Sequence, residues 1–247
     1  MVSIHAVLLL TDDIRISNIA RSSSWINASF RNMNDSSSFI EFGDHETRNV
    51  APTISSPSPA DGAGEQTINP TLSITIGDGN NDAINVTFRT NASGTWSDIG
   101  SNNTVYNGTY SQTPSNMNSY NKKYWWSANC TDGVLWANST YNFTTNALPV
   151  LSIPNPANES VGISLWPACN ITVSDVNGGT VDVGFYENTT GIWVLQQTNS
   201  SVDVTTATNV VWTNYSNASS ATTKYWWQVR VDDGICLVNE TYHFTTS

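Results

Sequence analysis

Sixteen Asn-x-Ser/Thr tripeptides are the residues of this sequence whose type and spacing most directly specify a chemistry. In this pattern the side-chain nitrogen of the Asn is the acceptor for an N-linked glycan. A chain rich in Asn, Ser and Thr produces some of these tripeptides by chance, so their positions on the strands matter. The acceptors are Asn27, Asn34, Asn85, Asn91, Asn102, Asn107, Asn129, Asn138, Asn142, Asn158, Asn170, Asn188, Asn199, Asn214, Asn217 and Asn239.

Calcium binding by the loop at 78–82, with the sequence Asp-Gly-Asn-Asn-Asp, is a second candidate chemistry. Its five residues follow the rhythm of an EF-hand loop. Ala83 then stands where that loop requires Gly, and Arg89 stands where it requires a bidentate Glu. We therefore predict an Asn/Asp-rich turn, with a weak Ca²⁺ site as the alternative, and we assign no metal ligand and no cofactor.

No grouping of residues in the sequence indicates catalysis. The three histidines, His5, His45 and His243, are scattered, and the H-E-x-x-H, G-x-S-x-G, Walker and Rossmann patterns do not occur. Asp232 and Asp233 precede a glycine, so they belong to a turn in which Asp is expected for structural reasons. We predict no catalytic residues, and therefore a protein that is not an enzyme.

Charge and hydropathy exclude two kinds of partner. The formal net charge is −11, and nine Lys and Arg in 247 residues do not make a basic stripe for nucleic acid or an anionic membrane. The apolar run at 6–10 is far too short to span a bilayer, so we expect no membrane insertion in this chain. Any signal peptide or anchor is expected to have been removed or to lie outside this sequence.

The chain contains an internal repeat. Seven residues between Asn49 and Trp96, among them Pro57, Pro59 and Asp78, recur 97 positions later. The phrase KKYWWSANCTDG recurs 101 positions later as TKYWWQVRVDDG, and the copies close on TYNFTT and TYHFTT. These matches predict an N-terminal β segment and two domains with little or no linker, at residues 1–48, 49–145 and 146–247.

Each copy consists of strand signals. LSITI (72–76), INVTF (84–88), CNITV (169–173) and VDVGF (181–185) alternate with period two, and clusters of Gly, Pro, Asn and Asp separate the runs. About seven short strands per copy are expected of an antiparallel β-sandwich. We therefore predict an all-β chain with two tandem sandwiches.

The order of these motifs resembles a known group of domains. The succession P-x-P, NPTLSITIGD, INVTF, GTWSDIG, KKYWWSANCTDG and TYNFTT resembles the fibronectin type III-like and Ig-like repeats of archaeal and bacterial surface-layer, adhesin and extracellular filament proteins. The resemblance covers both copies and fails for residues 1–48. It implies a fibronectin III/Ig-like fold and an extracellular, cell-surface location, and it says less about function because such modules serve many.

The resemblance also implies which side chains of the penultimate strand face the core. Its inward Tyr and the alternation that follows leave Trp125 and Trp226 on the outer face. Each either covers a neighbouring strand or domain junction, or contacts a sugar or another subunit. The implied inward residues are Tyr124, Trp126, Ala128 and Cys130 in the first copy, and Tyr225, Trp227, Val229 and Val231 in the second.

The same alternation places four glycan acceptors and two cysteines. It turns Asn85, Asn129, Asn142 and Asn170 outward, and it places Cys130 and Cys169 in the cores. Cys236 follows the last hairpin turn, and in a fibronectin-like sandwich this turn lies too far from Cys169 for a bridge. We predict that all three cysteines are thiols.

Residues 1–48 also contain strand signals, at 2–10, 14–20, 24–30 and 37–42. The run at 2–10 is unusually apolar for a terminus. Either it is a donor strand that inserts into another copy, or it is the edge of a local sheet. The side chains that a donor strand would insert are Ile4, Ala6, Leu8 and Leu10.

These features predict a non-enzymatic structural subunit of an extracellular surface assembly, such as a filament, a pilus-like fibre or a surface layer. Its partners would be copies of itself and covalent glycans. The alternative is an adhesion or carbohydrate-binding module of a larger secreted protein, in which Trp125 and Trp226 contact the ligand. A third hypothesis, an accessory domain of an extracellular enzyme, requires catalytic sequence beyond these residues.

Overall fold

The chain forms two compact units, Met1–Asn49 and Val50–Ser247. In the first unit, β1 (Val7–Leu8) pairs antiparallel with β2 (Ile14–Arg15). The computed structural model describes residues 7–8, 14–15, 21–27 and 48–247.

A short helix, α1, occupies residues 23–27, so the strand predicted at 24–30 is wrong over its described part. The side-chain oxygen of Ser22 accepts the N–H of Trp25 at 3.2 Å, and its carbonyl accepts the N–H of Ile26 at 3.1 Å. Serine caps helices in this way, and alternation over a few residues does not distinguish a strand from a capped helical turn. The strand predicted at 37–42 lies outside the described residues.

The second unit consists of two successive groups of eight strands within residues 50–247. The first group is β3 (Thr53–Ser58), β4 (Ala63–Gln66), β5 (Leu72–Gly77), β6 (Ile84–Thr90), β7 (Ser97–Val105), β8 (Gly108–Gln112), β9 (Lys123–Thr131) and β10 (Trp136–Thr145). The second group is β11 (Val150–Asn155), β12 (Ser160–Ile163), β13 (Cys169–Ser174), β14 (Thr180–Glu187), β15 (Val194–Asp203), β16 (Thr208–Trp212), β17 (Lys224–Asp232) and β18 (Leu237–Thr246).

Each group forms a three-stranded and a five-stranded sheet around one core. The sheet orders are β3-β5-β8 and β4-β10-β9-β6-β7 in the first group, and β11-β13-β16 and β12-β18-β17-β14-β15 in the second. The two groups therefore have the same topology, that of a fibronectin III/Ig-like sandwich. The predicted fold class, all-β with two tandem sandwiches, is confirmed.

The eighth strand of each sandwich in the range 50–247 was not expected from the sequence. β4 and β12 are short and pair parallel with β10 and β18, whereas the other neighbours pair antiparallel. Neither sequence, AGEQ nor SVGI, alternates clearly between apolar and polar residues. These strands form through backbone pairing with β10 and β18, which the local sequence does not reveal. Pro59 and Pro156 lie just before them, and proline cannot donate to a ladder, so the first strand ends there and the chain continues in the other sheet.

Burial confirms the alternation predicted for the penultimate strands. Trp126 and Trp227 are 0% exposed, and they stack on Phe88 and Phe185 with ring centroids 6.3 and 6.4 Å apart. An outward position does not always mean exposure: Gln228 is 8% exposed, since it hydrogen-bonds neighbouring side chains on the outer face. The repeated aromatic phrase is therefore in large part a core element.

The repeated closing phrase has a structural explanation in its last threonine. The hydroxyl of Thr246 donates to the carbonyl of Ser220 at 2.7 Å and accepts the N–H of Thr223 at 3.0 Å. Thr145 makes the equivalent bonds with Ser119 and Lys122, at 2.7 and 3.0 Å. Each threonine, buried at the end of the last strand, thus holds the loop that leads into the penultimate strand.

The two sandwiches are joined through Asn146, which is 3% exposed. Its N–H donates to the carbonyl of Gln66, and its carbonyl accepts the N–H of Asn121, both at 2.8 Å. Its side-chain nitrogen donates to Oδ2 of Asp233 in the second sandwich at 2.7 Å. Asn146 is bonded to both sandwiches, so its contacts do not assign it to one of them. The boundary between 49–145 and 146–247 therefore stays a prediction.

All three cysteines are thiols, as predicted. Cys130 and Cys169 are 0% exposed and belong to different cores, while Cys236 is half-buried. Burial raises the pKa of Cys130 to about 11 and raises the pKa of Cys169 further. The two core thiols therefore stay protonated near neutral pH and pack as small apolar side chains.

Candidate functional site

Trp226 lies on the outer face of β17, where the alternation predicts it, and is 42% exposed. The ring of its cross-strand partner His243 lies 4.4 Å away between centroids, at an interplanar angle of 57°. The ammonium nitrogen of Lys224 is 5.9 Å from the indole centroid, within the range of a cation–π contact. A large part of this indole is therefore accessible to a partner, and a binding role for it stays a prediction.

Trp125 occupies the equivalent position on β9 and is 41% exposed. Its cross-strand partner is Asn142, and the ammonium nitrogen of Lys123 is 5.1 Å from its ring centroid. The two copies thus present the same pair, an outward indole beside a lysine. They differ in the cross-strand residue, which is an amide in the first copy and an imidazole in the second.

An open cavity of about 310 Å³ adjoins Trp226 in the second sandwich. The lining combines one exposed aromatic face with amides, hydroxyls and one cation, the chemistry that a polyhydroxylated ligand requires. Within the described chain, Oδ1 of Asn188 is buried and has no hydrogen-bond partner. The lining residues are Asn188, Thr189, Asn217, Ser219, Ser220, Thr223, Lys224, Tyr225 and Trp226.

Glu187 underlies this cavity and is 2% exposed. Its carboxylate accepts the N–H of Thr189 at 2.7 Å and the side-chain N–H of Asn217 at 3.0 Å. Burial, with a smaller contribution from the charge of Glu187, raises the pKa of Tyr215 well above its ordinary value. Tyr215 therefore stays a donor, and its hydroxyl donates to the carbonyl of Trp226 at 2.7 Å, which holds the strand beneath the exposed indole.

The sequence analysis did not single out Glu187, although a signal for it was present. The inward alternation of β14, from Val181 through Val183 and Phe185, places residue 187 on the core face. The corresponding residue of the first copy, Thr90, is 1% exposed and donates from its hydroxyl to the carbonyl of Trp125 at 3.1 Å. The carbonyl of the outward tryptophan thus accepts a side-chain hydroxyl in both copies, from Thr90 in the first and from Tyr215 in the second.

The predicted glycan acceptors lie outside the cores wherever the structure describes them. Asn34 is not among the described residues, and none of the other fifteen is buried. The exposed acceptors are Asn27, Asn85, Asn107, Asn138, Asn158, Asn214, Asn217 and Asn239. The half-buried acceptors are Asn91, Asn102, Asn129, Asn142, Asn170, Asn188 and Asn199.

Three of these acceptors use the nitrogen to which a glycan would be attached. Nδ2 of Asn107 donates to the carbonyl of Asp78 at 3.3 Å. Nδ2 of Asn142 donates to the carboxylate of Asp61 at 2.7 Å, and Nδ2 of Asn217 donates to that of Glu187 at 3.0 Å. Asn129 and Asn138 are direct partners across β9 and β10, so a glycan on one crowds the other. The acceptors are therefore not equivalent, and the occupancy of each stays a prediction.

The donor-strand prediction falls largely outside the described residues. Ile4, Ala6 and Leu10 are among those not described, and Leu8 lies in β1. β1 pairs locally with β2, in register Val7 to Arg15 and Leu8 to Ile14. Local pairing of these two residues agrees with the alternative of a local sheet edge, and it does not test whether the run at 2–10 also inserts into another copy.

One group of acidic side chains in the described chain has the composition of a cation site. Asp78, Asp82 and Asp132 each offer a carboxylate oxygen, and these oxygens lie within 4.8 Å of one another. The sequence brought Asp78 and Asp82 together in one loop. It gave no sign that Asp132, about fifty residues later, reaches the same place.

No protein-family model matches this sequence, and no curated protein matches it. Among solved structures, titin domains A168–A170 are similar at 12% identity and a TM-score of 0.41, over 79% of this chain and 65% of that chain. The FN1–FN3 domains of chicken CNTN1 are similar at 12% identity and a TM-score of 0.32, over 80% and 68%. The IG1+IG2 pair of DIP-gamma is similar at 6% identity and a TM-score of 0.36, over 80% and 97%.

The sheet topology itself defines the class of this chain. It contains two tandem fibronectin III/Ig-like β-sandwiches. Within the described residues, no helix is long and apolar enough to cross a membrane.

Proposed function

We propose that this chain is a non-enzymatic, N-glycosylated structural subunit of an extracellular surface assembly, such as a filament, a pilus-like fibre or a surface layer. The observation that carries the proposal is the position of the fifteen described acceptors, all of which lie outside the two cores. A glycan can be attached at the surface without opening a sandwich. Sixteen acceptors with few charged residues suit a polar exterior coated with sugar.

The junction between the sandwiches supports a mechanical role. Asn146 is bonded to Gln66 and Asn121 on one side and to Asp233 on the other, without an intervening flexible linker. Each sandwich has its own apolar core. A chain built in this way spaces its ends by stacking domains, which suits a subunit of a fibre or layer.

Contact between copies has two candidate surfaces. The first is the apolar run at 2–10, which polymerises the chain if it acts as a donor strand. The second is the hairpin between β9 and β10, where Val134 and Trp136 are 73% and 63% exposed. Exposed apolar groups of this kind favour association with another protein surface.

Electron microscopy of the protein isolated from its native source tests this proposal. We expect ordered filaments or sheets at high concentration, and loss of that order after deletion of residues 1–12 if strand donation makes the joint. Circular dichroism of the deletion variant should retain the β signal of the two sandwiches, which provides the control for folding. Dispersed rods from the intact protein contradict the assembly, while unchanged assembly and unchanged stability after deletion contradict strand donation alone.

A carbohydrate-binding module is the second candidate function, and the cavity beside Trp226 favours it. The exposed indole offers an apolar face for a sugar ring, and the amides and hydroxyls around it offer hydrogen bonds. Tyr215 and Glu187 hold the strand and the cavity floor in place. The ligand class is therefore a neutral or acidic glycan, since Lys224 supplies the charge in the lining.

A glycan array comparing two variants tests this second function. We expect Trp226→Ala to weaken binding about two- to tenfold, because an aromatic contact contributes about 0.5–1.5 kcal/mol. Trp125→Ala is the matched control, since Trp125 has the same strand position and a similar exposure but lies in the other sandwich. Equal binding by both variants and the unchanged protein contradicts a glycan site at this cavity.

A further inference from the structure

Three aspartates from two loops meet at one end of the first sandwich. Asp78 follows β5, Asp82 precedes β6, and Asp132 begins the turn between β9 and β10. Their carboxylate oxygens lie within 4.8 Å of one another. Like charges at this separation repel each other, and a bound cation offsets that repulsion.

Asp78 carries the observation that points to a ligand. The residue is 6% exposed, and its Oδ1 accepts the N–H of Asn80 at 2.8 Å and the N–H of Asp82 at 3.3 Å. Its Oδ2 is buried and has no hydrogen-bond partner within the described chain. Such an oxygen is shielded from solvent and meets no donor of the described chain, which is costly for a carboxylate unless a cation or another donor meets it.

The backbone of Asp78 is held in place by a neighbouring amide. Oδ1 of Asn107 accepts the N–H of Asp78 at 2.6 Å, and Nδ2 of Asn107 donates to the carbonyl of Asp78 at 3.3 Å. These two bonds tie the backbone of Asp78 to the turn between β7 and β8. The unpartnered oxygen is therefore a feature of an anchored residue.

The second sandwich has residues at the positions equivalent to these three aspartates. Asp175 and Asp233 correspond to Asp78 and Asp132, and Asp175 accepts the N–H of Asn177 at 2.7 Å. Gly179 stands where the first sandwich has Asp82, so the third carboxylate is missing there.

The turn carboxylate accepts two backbone N–H groups of its own turn in both sandwiches, at Oδ1 of Asp132 and at Oδ1 of Asp233. Oδ2 of Asp233 accepts the side-chain N–H of Asn146 at 2.7 Å. Burial, with a smaller contribution from the charge of Asp233 and against the lowering effect of the hydrogen bond from Asn177, raises the pKa of Asp175 above its ordinary value. With Asp175 and Asp233 alone, the second sandwich has two carboxylates at this place where the first sandwich has three.

We propose that Asp78, Asp82 and Asp132 bind one divalent cation, and that Ca²⁺ is the ion they select. All three ligands are hard carboxylate oxygens, and the exposed side of Asp82 leaves room for water molecules to complete six to eight ligands. Mg²⁺ demands a stricter octahedron and suits such an irregular set less well. The ion ties the loop between β5 and β6 to the turn between β9 and β10, and stabilises the first sandwich.

Titration calorimetry and thermal unfolding of the full chain test the site. With CaCl₂ as the probe, we expect one site with a dissociation constant of about 10⁻⁴–10⁻³ M, the range of extracellular calcium modules. At about 10 mM Ca²⁺ the unfolding temperature of the first sandwich should rise by about 5–20 °C relative to EDTA. The same concentration of MgCl₂ should give a smaller rise.

Asp82→Asn is the decisive variant, because Asp82 is exposed and the change removes one charge with little change in shape. We expect it to weaken Ca²⁺ binding by about tenfold, because the affinity of a calcium site depends on the number of its charged ligands. Asp182→Asn is the matched control, since it removes one exposed charge from the second sandwich while its amide oxygen can still accept the N–H of Ser201. An equal calcium response in both variants, or no response in the unchanged protein, overturns the proposal.

Discussion

Replacement of Trp227 with alanine is expected to lower the free energy of unfolding of the second sandwich by about 3–5 kcal/mol. The indole is 0% exposed, stacks on Phe185 and contacts Tyr242 with ring centroids 4.7 Å apart. Its removal leaves a cavity between the two sheets that the surrounding strands cannot close without distortion. Urea denaturation of the full chain, followed by circular dichroism, measures the loss.

The adjacent residue provides the control for this prediction. Trp226→Ala removes an indole of the same size from the outer face of the same strand, and we expect a change below about 1 kcal/mol. Its contacts with Lys224 and His243 are partly exposed to solvent. Equal destabilisation by the two variants contradicts the assignment of one tryptophan to the core and the other to the surface.

Replacement of Thr246 with valine is expected to destabilise the second sandwich by about 1–3 kcal/mol. Valine has nearly the same shape, so the loss comes from the hydroxyl. Without it, the N–H of Thr223 and the carbonyl of Ser220 lose the partner that Thr246 provides. Thr246 is only 3% exposed. A group left unsatisfied in this way costs about 1–3 kcal/mol.

Thr245→Val is the matched variant, because Thr245 is the neighbouring residue on the same strand and its side chain points away from the loop. We expect it to change stability by less than about 0.5 kcal/mol. Hydrogen exchange of the Thr223 amide should accelerate in Thr246→Val and stay unchanged in Thr245→Val. Retained protection of that amide in Thr246→Val contradicts the role assigned to the hydroxyl.

Much of the fold could be predicted because it depends on local alternation. A strand with one buried face has its register set by which of its side chains are apolar. The alternation in 225–231 agrees with the inward tyrosine that the fibronectin-like resemblance implies, and together they turn Trp227 inward and Trp226 outward. The repeat then transfers the result to Trp126 and Trp125. At 24–30 the alternation is broken by the adjacent apolar pair Trp25 and Ile26, and with Ser22 as a cap residues 23–27 form a helix.

The parts that were missed depend on pairing between distant residues. β4 exists because the chain crosses to the other sheet and meets β10, a contact that AGEQ does not encode by itself. The crowding of Asn129 against Asn138 follows from the register of β9 with β10. A period-two pattern specifies the face of each residue and not the residue opposite, so these features required the folded chain.

The sequence by itself determined the two tandem sandwiches, the core position of the second tryptophan in each aromatic triplet and the surface bias of the acceptors. These follow from hydrophobic periodicity, from a repeat that is visible in the sequence and, for the tryptophans, from the resemblance to fibronectin-like repeats. Only the tertiary structure decided that Glu187 lies buried beneath the cavity at Trp226, and that Asp132 joins Asp78 and Asp82. The physical reason is that charge and desolvation act between groups that share a place in space, however far apart they stand along the chain.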